Sequence, residues 1–405
     1  MNRSFLCPGA GHKKRLPALS VFFAVIMLSM MILPVSAGMG EEAALNVSLF
    51  RHVPDQERFE RAIESLWYRD HPDVKLNFVT WHSYHEDPPE DLDVFVYDSI
   101  FLYDFLEKGF LLPLSEEDIQ NAGDLVPCAL SACMADGVAY AVPQLLCTNL
   151  LFAREGDDAV ADVQNVRELY QLIGDCEDLS IPPSAGDTLL VDLSDSTMLM
   201  FLYLEVRTDV LQEYSEWVSV PEAGALEPDV LGIMLEVEAM GGNEQIVYIT
   251  PDDDDYIRAE WFADGSGRAL IGYSENLSAM GDEAGNMTFH RISFSDGENV
   301  PMLYADFASV NANIDSSRKG LALELLNLIT GEEMMTLALS SAQEGQSPQY
   351  LLSARRSVYD HLSEEWPIFE KLKEIVSDPQ SRVYLIQPSG RELIENAERT
   401  FGAPL

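Results

Sequence analysis

At 405 residues, with 47% hydrophobic and 23% charged residues, the chain is long enough for more than one hydrophobic core and has the composition of a globular protein. Its 68 acidic against 25 basic residues give a net charge of −43, which makes nucleic acid an implausible partner and would attract a small cation, although solubility in a salty or extracellular medium explains most of that charge. Four of the five cysteines lie beyond the first forty residues, too few in a chain of this length for a disulfide scaffold.

The chain opens with Lys13-Lys-Arg15, a long apolar stretch from Leu16 to Leu33 and the small-residue pattern Val35-Ser-Ala37, which together read as a secretory signal peptide over 1–37. An uncleaved membrane anchor is the alternative, since the apolar run is nearly long enough to span a bilayer. Cleavage removes four basic residues and no acidic one, so the net charge of −43 becomes −47. The mature protein is expected to be secreted or periplasmic, with no membrane contact after cleavage.

Leu45-Asn-Val-Ser-Leu-Phe50 reads as a first strand, and Phe59, Ala62, Ile63, Leu66 and Trp67 have the spacing of one helix face. Strands over 74–79 and 93–97 follow. Strand, helix and strand with near-continuous apolar strands predict a parallel sheet covered on both faces. Asp98 falls at the carboxyl end of its strand, where ligands bind in open sheets, and just before a helix-like segment over 101–109. A plain helix cap is an equally good reading of Asp98 on spacing alone.

Further along, Gly137 marks a turn between two extended runs. The second, Pro143-Gln-Leu-Leu-Cys-Thr-Asn-Leu-Leu-Phe152, carries Cys147 and looks like a strand crossing into a second lobe. Trp261-Phe-Ala-Asp-Gly-Ser-Gly-Arg-Ala-Leu-Ile-Gly-Tyr273 predicts a helix end, a glycine turn and a strand. Pro301-Met-Leu-Tyr-Ala-Asp306 leads into a strand, and a helix is expected from Asp315 to Gly331 as the chain returns. The expectation is an α/β, two-lobed, periplasmic-binding-protein-like (class II) fold with a ligand cleft between lobes that close by hinge motion. Residues 44–147 with 299–340 form one lobe, and 148–298 with 341–405 the other.

Cys147 is a candidate nucleophile, because a lone thiol stands where a strand leaves an apolar core. A free thiol with a pKa near ~8.5 is only slightly ionised at neutral pH, so the reading needs a base. Glu275, in Gly272-Tyr-Ser-Glu-Asn276, is the candidate. A buried structural cysteine and a surface or capping glutamate are the bland alternatives. Cys128 and Cys133 are able to pair if a turn brings them together, while Cys147 must stay free.

Other motifs carry less. His82-Ser-Tyr-His85 with Glu86 and Asp87 has no helical face to hold a metal, and Asp252 to Asp255 lacks the alternating ligands and glycine of a calcium loop. Gly265-Ser-Gly267 lacks dinucleotide spacing, Ser274 lacks the second glycine of a nucleophile elbow, and none of the seven histidines lies in a cysteine-hydrolase motif near Cys147. No metal or cofactor is called for. Asn46, Asn276 and Asn286 begin glycosylation sequons, and a glycan on Asn276 would sit badly beside a catalytic glutamate.

Four separated segments in order carry a resemblance: Asp91-Leu-Asp-Val-Phe-Val-Tyr-Asp-Ser-Ile-Phe-Leu102, Val142-Pro-Gln-Leu-Leu-Cys-Thr-Asn-Leu-Leu-Phe152, Gly265-Ser-Gly-Arg-Ala-Leu-Ile-Gly-Tyr-Ser-Glu275 and Pro348-Gln-Tyr-Leu-Leu-Ser-Ala-Arg355. From about Leu45 onward the chain resembles the type I thiaminases, thiamine pyridinylases of binding-protein fold that break the vitamin's pyrimidine-to-thiazolium link by base exchange with an organic nucleophile. The resemblance implies Cys147 as nucleophile and Glu275 as general base. It also implies Asp98 and Asp306 as carboxylates holding the aminopyrimidine, and Tyr84, Tyr256, Tyr273 and Tyr304 as cleft tyrosines. Thiamine and an amine, pyridine or thiol are then the partners, the protein acting as a monomer. Where the family has a Tyr-Pro-Tyr segment this chain has Phe50-Arg51-His52, so Phe50 and His52 replace two tyrosines. A secreted thiamine-binding protein without catalysis is the alternative.

Overall fold

The computed structural model describes residues 44–401 apart from 185, 215–216, 220–224, 251–254, 298–299, 342–345 and 388. The expected signal peptide and Asp252 to Asp254 lie outside the described residues. Two sheets organise the chain. The larger has the strand order Leu352–Ser353, Val142–Cys147, Met302–Val310, Val94–Asp98, Ala44–Ser48, Lys75–Phe78, with Arg382–Val383 pairing with Met302–Val310. The smaller has the order Met287–His290, Leu150–Arg154, Ala269–Gly272, Leu189–Leu190.

The first three strands pair in parallel, as their apolar sequences predict, with Ala44 opposite Lys75 and Val47 opposite Val94. Helix Gln56–Asp70 connects the first two and buries the expected Phe59, Ala62, Ile63, Leu66 and Trp67, each large side chain contributing about 1.5–3 kcal/mol. Every residue of Val94–Asp98 is buried, because the strand is covered on both faces. The long return strand Met302–Val310 instead runs antiparallel to both Val94–Asp98 and Val142–Cys147, so the sheet is mixed. This arrangement follows from the return crossing, which brings the chain back from the second sheet in the opposite direction.

Between Cys147 and Leu150 the chain passes from the larger sheet to the smaller, and the expected single crossing strand is therefore two strands in two sheets. The strand ends fall within a residue or two of those expected, and the return helix differs more. The helix expected from Asp315 begins at Lys319, because the Asp315 carboxylate accepts from the Ser317 backbone N–H (2.8 Å) and hydroxyl (2.7 Å) and closes a turn first. It ends at Ile329 with Thr330 as C-cap, close to the expected stop at Gly331, and Gly331 is in turn the N-cap of a second helix, Glu332–Leu339. The segment 341–405, expected with the second lobe, gives Leu352–Ser353 and Arg382–Val383 to the larger sheet. Its last helix, Gly390–Phe401, is fixed by a Gly390 N–H to Asp104 Oδ2 bond of 2.6 Å. No helix among the described residues is long and apolar enough to cross a membrane.

Candidate active site

Register places four expected site residues on one face. Across the antiparallel pairs Tyr304 lies opposite Cys147, and Asp306 lies opposite Asp98. Residues two apart on a strand share a face, as do directly opposed ones, so Cys147, Tyr304, Asp306 and Asp98 project from the same side of the larger sheet. Opposed Cβ atoms sit roughly 4.5–5.5 Å apart, which makes Asp98 and Asp306 a carboxylate pair.

Asp98 is a cap, as one sequence reading expected, and also bonds Tyr84. Its Oδ1 accepts from the Ile100 backbone N–H at 3.0 Å, capping the turn that follows the strand, while Oδ2 accepts from the Tyr84 hydroxyl at 2.6 Å. Burial pushes its carboxyl up to about 6 against the opposing pull of those bonds. Asp306 is raised well above the ordinary carboxylate range, by burial first and then by Asp98 and Glu275.

From the smaller sheet come Tyr273 and Glu275, just beyond the Ala269–Gly272 strand. Glu275 is buried, at the N-cap of the short helix Asn276–Ala279, and its Oε2 has no hydrogen-bond partner among the described residues. Burial pushes the carboxyl up to about 7; the counter-pulls of its own backbone and of the Ser274 hydroxyl are smaller. The turn depends on Gly272: a Cβ there would meet Asn276 Nδ2 at 2.6 Å, and that amide donates to the Tyr273 carbonyl at 2.9 Å. Asn276 is itself buried with its amide engaged, so the sequon does not present an open acceptor.

Cys147 is half-buried at the end of its strand. Burial raises the thiol well above its usual pKa, and Asp306, Glu275, Asp98 and Glu205 raise it further, in that order. Tyr273 is raised by burial and then by Cys147, Glu205, Glu275 and Asp98. The thiol, four carboxyl groups and the tyrosines thus share one electrostatic environment drawn from both sheets. Among the described residues, the leading influences on Cys147, Asp98, Asp306, Glu205 and Glu275 include no lysine or arginine.

Tyr304 is buried, donates to the Phe201 carbonyl at 3.2 Å and stacks on Tyr384 with centroids 4.7 Å apart. Tyr84 stands edge-on to Phe101 at 5.1 Å. His52, in place of a family tyrosine, packs against Phe50 at 5.4 Å and Tyr84 at 6.1 Å, so rings still line that wall. Tyr256 is half-buried at the N-cap of Ile257–Ala263, and its part in the site rests on the resemblance alone. His82 and His85 rings lie 4.4 Å apart, Asp87 is taken by Lys108 at 2.7 Å, and no group of three or more potential metal ligands is gathered among the described residues.

Among the described residues no disulfide involves Cys128, Cys133, Cys147 or Cys176; Cys128 lies on the short helix Pro127–Ala132 and Cys133 just after it. An open groove of about 790 Å³ lined by residues including Cys128, Tyr214 and Arg382 shares no lining residue with the thiol–carboxylate cluster.

Sequence reasoning missed Glu205 and Asn149. Glu205, on helix Ser196–Leu211, is 8% exposed, and both its oxygens accept from Asn149 Nδ2 at 3.0 Å. Burial pushes its carboxyl up to about 8. The available signal was an acid within Met198-Leu-Met-Phe-Leu-Tyr-Leu-Glu205, an otherwise apolar run.

Two lobes with a thiol and carboxyl groups at the junction of their sheets make this a periplasmic-binding-protein-like α/β protein of class II. The maltose-bound MalE3 protein of T. maritima shares that fold, with a TM-score of 0.61 at 15% identity over 88% of this chain and 98% of that one. Residues 148–295 match the Thiaminase-1 domain model. Thiaminase-1 of Paenibacillus thiaminolyticus is 40% identical over 386 residues, 93% of this chain and 94% of that protein. The structure of Clostridium botulinum thiaminase I in complex with thiamin is also 40% identical, with a TM-score of 0.85 over 88% of this chain and 98% of that one. The chain belongs to the thiaminase I family.

Proposed function

We propose that this protein is a thiaminase I that cleaves thiamine by base exchange, with Cys147 as nucleophile and Glu275 as general base. The observation that carries the reading is that half-buried Cys147, at the end of a strand of one sheet, and buried Glu275, just beyond a strand of the other, act on one another beside the Asp98–Asp306 pair. The raised thiol needs a base, and a carboxyl near 7 is matched to take its proton at neutral pH and return it later. A related structure holds thiamin, a cation of the sign that this acidic site lacks.

In this scheme the Cys147 thiolate bonds to an electron-poor carbon of the pyrimidine. The bond from the methylene to the thiazolium nitrogen breaks, its electron pair neutralising the thiazolium, which leaves as thiazole. An amine, pyridine or thiol then bonds to the methylene, and Cys147 departs as thiolate to be reprotonated through Glu275. Asp98 and Asp306 stabilise the proton-rich aminopyrimidine by charge-assisted hydrogen bonds worth about 1.5–3 kcal/mol each. Tyr84, Tyr273 and Tyr304 orient the ring, with Tyr256 closing the set, and positioning supplies a large share of the rate gain. We assign 44–147 and 299–340 to one lobe, together with the strands Leu352–Ser353 and Arg382–Val383 of the segment 341–405, and 148–298 to the other, and read the protein as a secreted monomer.

Incubation of the protein with thiamine and pyridine tests the proposal. A pyrimidinylmethyl-pyridinium product with free thiazole is expected; vitamin that stays intact but bound would identify a binding protein instead.

A further inference from the structure

We propose that Glu205 is a positioning residue that sets the Cys147 thiol through Asn149. The inference rests on Cys147 being the nucleophile, as proposed above.

Phe201, Glu205 and Thr208 are spaced i, i+4 and i+7 on helix Ser196–Leu211 and therefore share one face. Each makes a polar contact to the framework of the nucleophile. The Phe201 carbonyl accepts from Tyr304 Oη at 3.2 Å, and Tyr304 is the cross-strand partner of Cys147. Both Glu205 oxygens accept from Asn149 Nδ2 at 3.0 Å, and Asn149 is two residues beyond Cys147. Thr208 Oγ1 meets Tyr384 Oη at 3.3 Å, and Tyr384 stacks on Tyr304. The intervening Thr148 hydroxyl donates to the Met302 carbonyl at 3.2 Å.

One helix thus grips the strand of the thiol from its neighbour and from the chain just after it. The grip falls where the chain leaves the larger sheet for the smaller, a crossover able to absorb hinge motion. A carboxyl group only 8% exposed, on a helix whose neighbouring positions are apolar and buried, is costly unless it is hydrogen-bonded, and packing alone would be served by another leucine. The hydrogen bonds that offset the cost run to the segment carrying the thiol. A misplacement of about 1 Å at a reacting atom costs on the order of 100-fold in rate.

The test compares Glu205→Gln, Glu205→Ala and Asn149→Ala with the unaltered protein. The readouts are kcat and KM for thiamine with pyridine, and the rate of Cys147 alkylation by iodoacetamide, which requires no vitamin. Gln keeps an acceptor in place, so Glu205→Gln should retain kcat within about tenfold. Glu205→Ala and Asn149→Ala should lose about 100-fold in kcat with KM altered only a few-fold. Glu205→Ala should also alkylate several-fold faster than Glu205→Gln, since both lack the charge but only one still holds Asn149. Equal kcat and equal alkylation in the Ala and Gln variants would overturn the proposal. If the unaltered protein leaves thiamine intact, the nucleophile's function is wrong, and the alkylation comparison still decides the positioning.

Discussion

Replacing Glu275 with Gln removes the base while keeping shape and volume, and the cost can be worked from the site. Burial and four neighbouring carboxyl groups hold the Cys147 thiol well above its ordinary pKa of ~8.5. At pH 7 the unaided thiolate is therefore below about one part in 100. Glu275, at about 7, is roughly half ionised there and able to accept the proton. Glu275→Gln should slow the first step by at least about 100-fold at pH 7, within the range found for general acid–base catalysis, while KM changes little. The sign of the pH dependence follows: the base works ionised, so kcat/KM falls as pH drops through about 7. The variant should lose that acid limb and keep only the rise toward alkaline pH from the thiol. Rapid-quench measurement of thiazole release between pH 5 and 9.5 reads both features. A variant within about threefold of the unaltered rate, or one that keeps the limb near 7, would refute the assignment of the base.

Cys147→Ser should abolish turnover yet still bind thiamine, which calorimetry checks against product assay. Asp98→Asn and Asp306→Asn should each lower kcat/KM by roughly 10- to 100-fold, the equivalent of one charge-assisted hydrogen bond, as steady-state kinetics would show. Asp98, Glu275 and Glu205 titrate in the folded protein at about 6, 7 and 8, above their ordinary ranges. The unfolded chain therefore ionises first, and stability present at pH 4 is lost as pH rises through these values. The thermal midpoint of the vitamin-free protein should be higher at pH 5 than at pH 8.5, with thiamine narrowing the gap; a midpoint rising over that range would contradict the burial of these carboxyl groups.

Local pattern revealed the elements that hold the site better than it revealed the site itself. The apolar strands ending in Asp98 and Cys147, the helix face from Phe59 to Trp67 and the glycine turn before Ala269 are short-range features, and the fold reproduces them. Convergence is different. Asp306 meets Asp98, and Tyr304 meets Cys147, only through the register of an antiparallel return strand, which no local period encodes. The roles proposed for them come from the family resemblance alone. The two-residue strands Leu352–Ser353 and Arg382–Val383 are too short to show alternation, so local pattern gives no sign that the C-terminal segment joins the larger sheet. Glu205 escaped because attention to apolar periodicity passes over the one acid in an apolar run, which was itself the clue.

The central claim, a thiol that bonds covalently to the vitamin, is tested most directly by intact-protein and peptide mass spectrometry after brief exposure to thiamine without added nucleophile. The account predicts a pyrimidine adduct on the peptide containing Cys147, absent in Cys147→Ser and discharged when pyridine is added. An unmodified Cys147 under conditions where thiazole is released, or an adduct on another residue, would contradict it.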